Sequence, residues 1–173
     1  SSSWLSVPSA TPAPAATVLN SVGRFWTDQA GLDVLIEPDG WQTSFALAES
    51  TLNQKPTRSL LVAGEPLVGK SAFLRLLAQR LRGEDWSVFE ASGADLQADQ
   101  VYIGQLEGRI RQVVDELTRG YKMIWYIPDI VQVAMSGRHQ GQSATMLDQI
   151  VPAIAAGRLV VWGEATPKGI ARL

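Results

Sequence analysis

A chain of 173 residues, 46% hydrophobic and 18% charged, is long and apolar enough for one domain with a real core. It has a net charge of −2, no basic block, no cysteine and a single histidine, His139, so nothing calls for nucleic acid, and disulfides, thiolate or histidine-rich metal centres and a cysteine nucleophile are excluded. Its start lacks the basic and apolar regions of a signal peptide and its apolar runs fall far short of a membrane span, so no membrane and a cytoplasmic setting, whole or as part of a larger protein, are expected.

Residues 1–18 are rich in Ser, Pro and Ala and read as a flexible linker or tail, leaving 19–173 as the domain. Trp4 and Leu5 are the tail's only large apolar pair, either docked or partly exposed. Val18, Leu19, Val22, Phe25 and Trp26 are spaced as one short helical face. Leu32 to Ile36 reads as a short extended or turn-flanked segment, punctuated by Pro38, Asp39 and Gly40. Trp41 to Leu52 reads as an amphipathic helix, with Trp41, Phe45, Leu47, Ala48 and Leu52 apolar, and Asn53 to Arg58 as a loop around Pro56.

Leu60 to Ala63 is a short apolar run, as a buried parallel strand should be. Gly64, Gly69, Lys70 and Ser71 then fit G-x-x-x-x-G-K-[ST], the P-loop pattern. Ala72 to Leu81 follows as a strong helix former, with Phe73, Leu74, Leu76, Leu77 and Leu81 on one broad face. Between such a strand and helix the loop turns its N–H groups inward to cradle phosphate, and the helix N-terminus adds its dipole. Gly64, Glu65, Pro66, Leu67, Val68, Gly69, Lys70, Ser71 and Ala72 form this expected cradle. Lys70 is expected on the β- and γ-phosphates and Ser71 on Mg²⁺, making ATP with Mg²⁺ the expected ligand. The flanking strand and helix argue against a chance Gly-rich turn.

Gly83 to Asp85 is a turn and Trp86 to Ala91 a second strand. Ser92 to Gln100 reads as polar and turn-like, interrupted by Tyr102-Ile-Gly104. Leu106 to Thr118 is a helix with Ile110, Val113, Val114 and Leu117 on one side, closed by Gly120. Met123 to Ile127 is continuously apolar and therefore a central strand, with Pro128 and Asp129 at its carboxyl end. Val131 to Ala134 is mostly apolar, and Ser136 to Ser143 is a polar loop holding His139, read as solvated. Ala144 to Ala156 is a helix with Met146, Leu147, Ile150, Val151 and Ile154 inward and a kink at Pro152. Leu159 to Trp162 is the fourth strand, ending near Gly163 to Thr166 before Pro167. Alternating strands and helices imply an α/β fold, a P-loop NTPase parallel sheet with flanking helices. Ligands of such sheets bind beyond the strands' carboxyl ends, where the P-loop, Asp129 and Thr166 all fall.

From about Leu35 to Arg172 the sequence resembles the AAA+ ATPases, and among them the first nucleotide-binding module of the Clp-type protein unfoldases. That module carries a G-E-P-G-V-G-K-T loop, matched by Gly64-Glu-Pro-Leu-Val-Gly-Lys-Ser71. Its K-Y-R-G-x-F-E-x-R segment is matched by Val101-Tyr-Ile-Gly-Gln-Leu-Glu-Gly-Arg109. A helix ending A-R-G corresponds to Ala156-Gly157-Arg158, and a strand ending G-A-T-T to Gly163-Glu-Ala-Thr166. The resemblance implies phosphate and magnesium binding by Lys70 and Ser71, a structural Glu65, and a sensor role for Thr166. It implies self-association or protein partners within a larger AAA+ assembly. Tyr102 would sit on the pore loop that grips an unfolded polypeptide; alternatively it packs on its own domain.

Several positions depart from the pattern. Walker B in this family is four apolar residues, then Asp, then Glu. Aligning Ile124 to Ile127 with the apolar four puts Pro128 at the Asp position and Asp129 at the Glu position, the register that keeps the apolar run intact. Sliding by one makes Asp129 the magnesium Asp and Ile130 the catalytic position. A shortened base falls about one methylene short, and small misplacements cost on the order of a hundredfold in rate; isoleucine takes no proton at all. Either register implies nucleotide binding with slow or absent hydrolysis. Val101 and Ile103 replace the basic neighbours of the pore tyrosine, and Glu37-Pro38 replaces the Gly-Arg expected after Ile36. A full AAA+ core adds a fifth strand, arginine fingers and a helical lid. Lys168 and Arg172 are the only basic residues beyond the fourth strand, so a piece of a longer protein is expected, with a sheet edge open beside the P-loop strand.

Trp125 and Trp162 are expected in the core, while Trp41 and Trp86 are core or contact residues, with adenine stacking by Trp41 a further option. Glu164 lies near the expected γ-phosphate and either faces solvent or supplies the missing carboxylate. Two functions remain: an ATP-binding module of a remodelling ATPase with weak hydrolysis, or a non-catalytic AAA+-derived scaffold. An unrelated P-loop kinase would need a substrate-binding carboxylate or arginine cluster over the sheet, which the sequence does not offer.

Overall fold

Apolar runs separated by helix-length excursions pair in parallel, because a hairpin needs only a few residues between partners. The computed structural model describes residues 18–26, 40–66, 68–98, 103–120, 122–136 and 146–172. In chain order they form α1 (Val18–Val22), β1 (Arg24–Phe25), α2 (Trp41–Asn53), β2 (Leu60–Ala63), α3 (Lys70–Leu81), β3 (Ser87–Glu90), α4 (Gly93–Gln97), α5 (Ile103–Arg119), β4 (Met123–Ile127), α6 (Ile130–Ser136), α7 (Met146–Ala155), β5 (Val160–Ala165) and α8 (Pro167–Ile170). The sheet runs β1-β3-β4-β5-β2, with β1 antiparallel to β3 and every other pairing parallel. This is the expected α/β architecture, with β4 central.

Side chains alternate across β4 because successive residues of a strand point to opposite faces. Ile124 and Tyr126 join a core with Phe45 of α2 and Leu74 and Leu77 of α3. Trp125 and Ile127 join the other, with Leu19 of α1, Ile110 and Val113 of α5 and Ile150 of α7. The P-loop helix therefore covers one sheet face, and α1, α5 and α7 cover the other.

Three local expectations are corrected. The helical face through residue 26 stops at Val22, and Phe25 lies in β1, paired with Phe89. Gly23 makes the switch, since a Cβ there would sit 2.1 Å from the Glu90 carbonyl oxygen. The polar stretch after Ser92 contains α4 rather than only turns. Ser92 Oγ accepts from the Asp95 N–H at 3.0 Å and Asp95 accepts from the Ser92 N–H at 2.9 Å, a reciprocal cap that satisfies two donors at the start of a short helix. In α7, Val151 is 44% exposed, and the buried face is Met146, Ile150 and Ala153. That helix runs on through Pro152 to Ala155.

β1 is held by charge as well as pairing. The buried Glu90 carboxylate is ion-paired with Arg24, accepts from Trp26 Nε1 at 3.1 Å, and lies 3.8 Å from Arg75 of α3. The Arg75 guanidinium also stacks 4.4 Å above the Trp26 ring, which packs 4.8 Å from Tyr126. At the opposite side β2 is an edge strand among the described residues, and Leu61 on it is 44% exposed.

Two buried tryptophans differ in one bond. Trp125 Nε1 donates to the Ala91 carbonyl at 3.0 Å, whereas Trp162 Nε1 has no hydrogen-bond partner among the described residues. Trp125→Phe should therefore destabilise by about 1–2 kcal/mol more than Trp162→Phe, because only the former strands a buried acceptor. Urea unfolding midpoints check this; equal losses would show that the Trp125 bond contributes nothing.

Candidate functional site

The site grows from the β2–loop–α3 turn. β2 ends at Ala63, and the next N–H, from Gly64, donates to the Ala165 carbonyl of β5 at 3.0 Å, so the loop leaves the sheet tied to its neighbour. Gly69 precedes α3 with φ of 93°, the left-handed region that glycine enters without a Cβ penalty. Its carbonyl accepts the Phe73 N–H at 2.9 Å and starts the helix. The Lys70 ammonium folds back along the loop and donates to the carbonyls of Gly64 at 2.6 Å and Glu65 at 2.8 Å. Glu65, Pro66 and Val68 are exposed on the loop, and Ala72 is half-buried in the first turn of α3. Leu67 lies outside the described residues, as do Tyr102, His139, Trp4, Leu5 and the segment from Leu32 to Ile36.

The carboxylate against Ser71 belongs to Glu164. Ser71 Oγ donates to it, 2.8 Å from Oε1 and 3.1 Å from Oε2, and the Tyr126 hydroxyl donates to Oε2. Burial pushes the Tyr126 hydroxyl well above its ordinary pKa, and the hydrogen bond to Glu164 and that group's negative charge push the same way. Tyr126 therefore stays protonated and remains a donor. Glu164 is half-buried, and its carboxylate is held by Ser71 and Tyr126.

Asp129 is engaged elsewhere: its Oδ1 accepts the Gly93 N–H of α4 at 2.8 Å. Thr166 caps α8, its Oγ1 accepting the Gly169 N–H at 2.9 Å. Two clefts flank Lys70. One, of about 470 Å³, lies between α2 and β2 and is lined by Trp41, Leu47, Val62, Val68, Gly69 and Phe73. The other, of about 400 Å³, gathers Lys70, Pro128, Glu164, Thr166, Lys168 and Arg172. Apolar walls on one side and convergent polar groups on the other suit a ligand with a flat ring and a charged tail. Among the described residues no group of three or more His, Cys, Asp or Glu could cage a metal. A serine hydroxyl and one carboxylate are instead a hard-oxygen donor set that fits Mg²⁺ shared with phosphate.

Residues 60–162 match the family described as ATPase family associated with various cellular activities (AAA). The chain belongs to the AAA ATPases. Its AAA domain is of the Clp/Hsp104 type: the chain is 28% identical over 160 residues, 87% of its length, to the chaperone protein ClpB of Helicobacter hepaticus. It is also 28% identical over 80% of its length to a ClpA homologue, an ATP-binding subunit of Clp protease, from Porphyra purpurea. The fold superposes on the Saccharomyces cerevisiae Hsp104–ADP complex with a TM-score of 0.70 at 23% identity, covering 90% of this chain and 27% of that one. The Hsp104:casein complex superposes at 0.69 with 25% identity, over 90% of this chain and 27% of that one. The chain spans 18% of the ClpB sequence it matches. Membership carries ATP and Mg²⁺ as the ligands of such a domain. Among the described residues no helix is long and apolar enough to cross a membrane.

The Glu164–Ser71 contact has a faint signal in the sequence: Glu164 stands two residues after Trp162 on one strand, and so shares its face. Knowing that this face carries α3 requires the sheet order. The loop itself is testable without any ligand. Gly69→Ala should cost about 1–2 kcal/mol, because a Cβ is forced into the left-handed region. Gly83→Ala, at a glycine with open space around it, should be neutral or stabilising by about 0.5 kcal/mol. Urea denaturation of both variants checks the pair; equal effects would contradict the loop geometry.

Proposed function

We propose that the chain is the first nucleotide-binding module of a Clp-type remodelling ATPase, one that binds ATP and hydrolyses it slowly or not at all. The observation that carries the reading is the Gly64–Ser71 loop, curled at Gly69 over the carboxyl end of β2 and continuing into α3. In this reading residues 64–72 hold the phosphates through loop N–H groups, the Lys70 ammonium and the Ser71 hydroxyl. Lys70 would exchange its two loop carbonyls for phosphate oxygens, a swap of neutral for charged acceptors that strengthens each bond. Mg²⁺, when bound, neutralises charge on the phosphate oxygens. Asp129 stands at the catalytic position of Walker B as a shortened base, and Thr166 is the sensor. The weak-hydrolysis reading is supported by Pro128, which lines the cleft where Walker B would offer an acid, and by the Asp129–Gly93 bond.

We further assign residues 1–18 to a linker and 19–173 to a partial AAA+ large subdomain working in the cytoplasm. Self-association in a larger AAA+ assembly, with a polypeptide gripped at Tyr102, is supported by the likeness to Hsp104 solved with casein. The non-catalytic scaffold reading differs in one respect: it needs no nucleotide.

Titration with a fluorescent ATP analogue, with phosphate release followed on the same samples, tests this function. Lys70→Ala should weaken binding about 10- to 100-fold, the worth of one or two charged hydrogen bonds. Binding sensitive to Lys70 with negligible phosphate release is the expected result. A folded chain that binds no nucleotide would leave the scaffold, and brisk turnover would overturn the Walker B assignment.

A further inference from the structure

We propose that Glu164 is the cation-binding carboxylate of this P-loop, holding with Ser71 Oγ the divalent cation of a bound nucleoside triphosphate. The inference rests on the nucleotide reading above and adds a residue that the family pattern does not supply, since the matching position of G-A-T-T is alanine. Three features converge on it. First, Ser71 donates its hydroxyl proton to Glu164, which leaves the oxygen's lone pairs facing outward for a cation. Second, the carboxylate is oriented from a second side by the Tyr126 hydroxyl, so its position does not depend on the ligand. Third, the strand end where an acid would ordinarily stand holds Pro128, and Asp129 is bonded to the Gly93 N–H.

The donor count fits the ion. Mg²⁺ commonly takes one or two carboxylates, phosphate oxygens and several waters rather than a full protein cage. One carboxylate and one hydroxyl beside Lys70 meet that demand, and a single acidic group also limits repulsion of the phosphates.

The test separates the cation from the nucleotide. Affinity for a fluorescent ATP analogue is measured in EDTA and again in excess Mg²⁺, for the native chain and for Glu164→Gln and Glu164→Asp. Binding of Mn²⁺ to the nucleotide-loaded protein is followed by electron paramagnetic resonance. The native chain should bind more tightly with Mg²⁺. Glu164→Gln should lose that gain by about 10-fold or more while holding or improving its affinity in EDTA, where one negative charge fewer faces the phosphates. Glu164→Asp should retain part of the gain and a weakened Mn²⁺ signal. A full Mg²⁺ gain in Glu164→Gln, or a gain abolished by Asp129→Asn and untouched by Glu164→Gln, would overturn the assignment. Absence of binding by the native chain in both buffers would overturn the nucleotide reading itself.

Discussion

The parallel pairing of β2 with β5 is the constraint on which the site depends. It sets Val62 level with Glu164 and Ala63 level with Ala165, and one further hydrogen bond ties Gly64 to the Ala165 carbonyl. A parallel pair places like ends together, so the P-loop, Glu164 and Thr166 all emerge at one edge of the sheet. A one-residue slip would turn Glu164 to the opposite face, away from α3 and Ser71. The register is fixed from both sides by burial. Trp162, two residues before Glu164, fills the core beneath α3, while Val161 points into the core beneath α7.

The second constraint is the alternation along β4. Ile124 and Tyr126 must face α3 because Trp125 and Ile127 are needed in the opposite core. Tyr126 is thereby placed where its hydroxyl meets Glu164, and its apolar ring packs on Trp26. That ring contact joins the site to the Glu90 cluster, in which one buried carboxylate collects Arg24, Arg75 and the Trp26 N–H. Arg75 lies on α3, one turn beyond Ser71. The same helix that begins at the P-loop is thus anchored to β3 by charge and to the sheet by Leu74 and Leu77.

Much of this was readable from residues alone because it is local. The P-loop is a spacing, and the strand before it and the helix after it are short-range patterns. The four parallel strands are apolar runs at helix-length intervals. What escaped is either too short for periodicity or set by distant pairing. β1 is two residues long and exists because Phe25 pairs with Phe89. α4 is five residues long, announced only by Ser92 and Asp95. The partner of Ser71 lies 93 residues away on a strand that is not its neighbour in sequence, so the sequence offered Asp129 and Glu164 as rivals for one role. Their contacts differ in the fold: Asp129 accepts from the Gly93 N–H of α4, whereas Glu164 accepts from Ser71 of α3.

The most direct check on the proposal that this module binds ATP and hydrolyses it slowly or not at all is a single-turnover experiment. The chain is loaded with a stoichiometric amount of ATP and Mg²⁺, rapidly desalted, and the bound nucleotide is identified by chromatography over hours. Bound ATP that persists as ATP is the predicted result. Rapid conversion to ADP on the protein, or the recovery of protein free of nucleotide, would contradict the account.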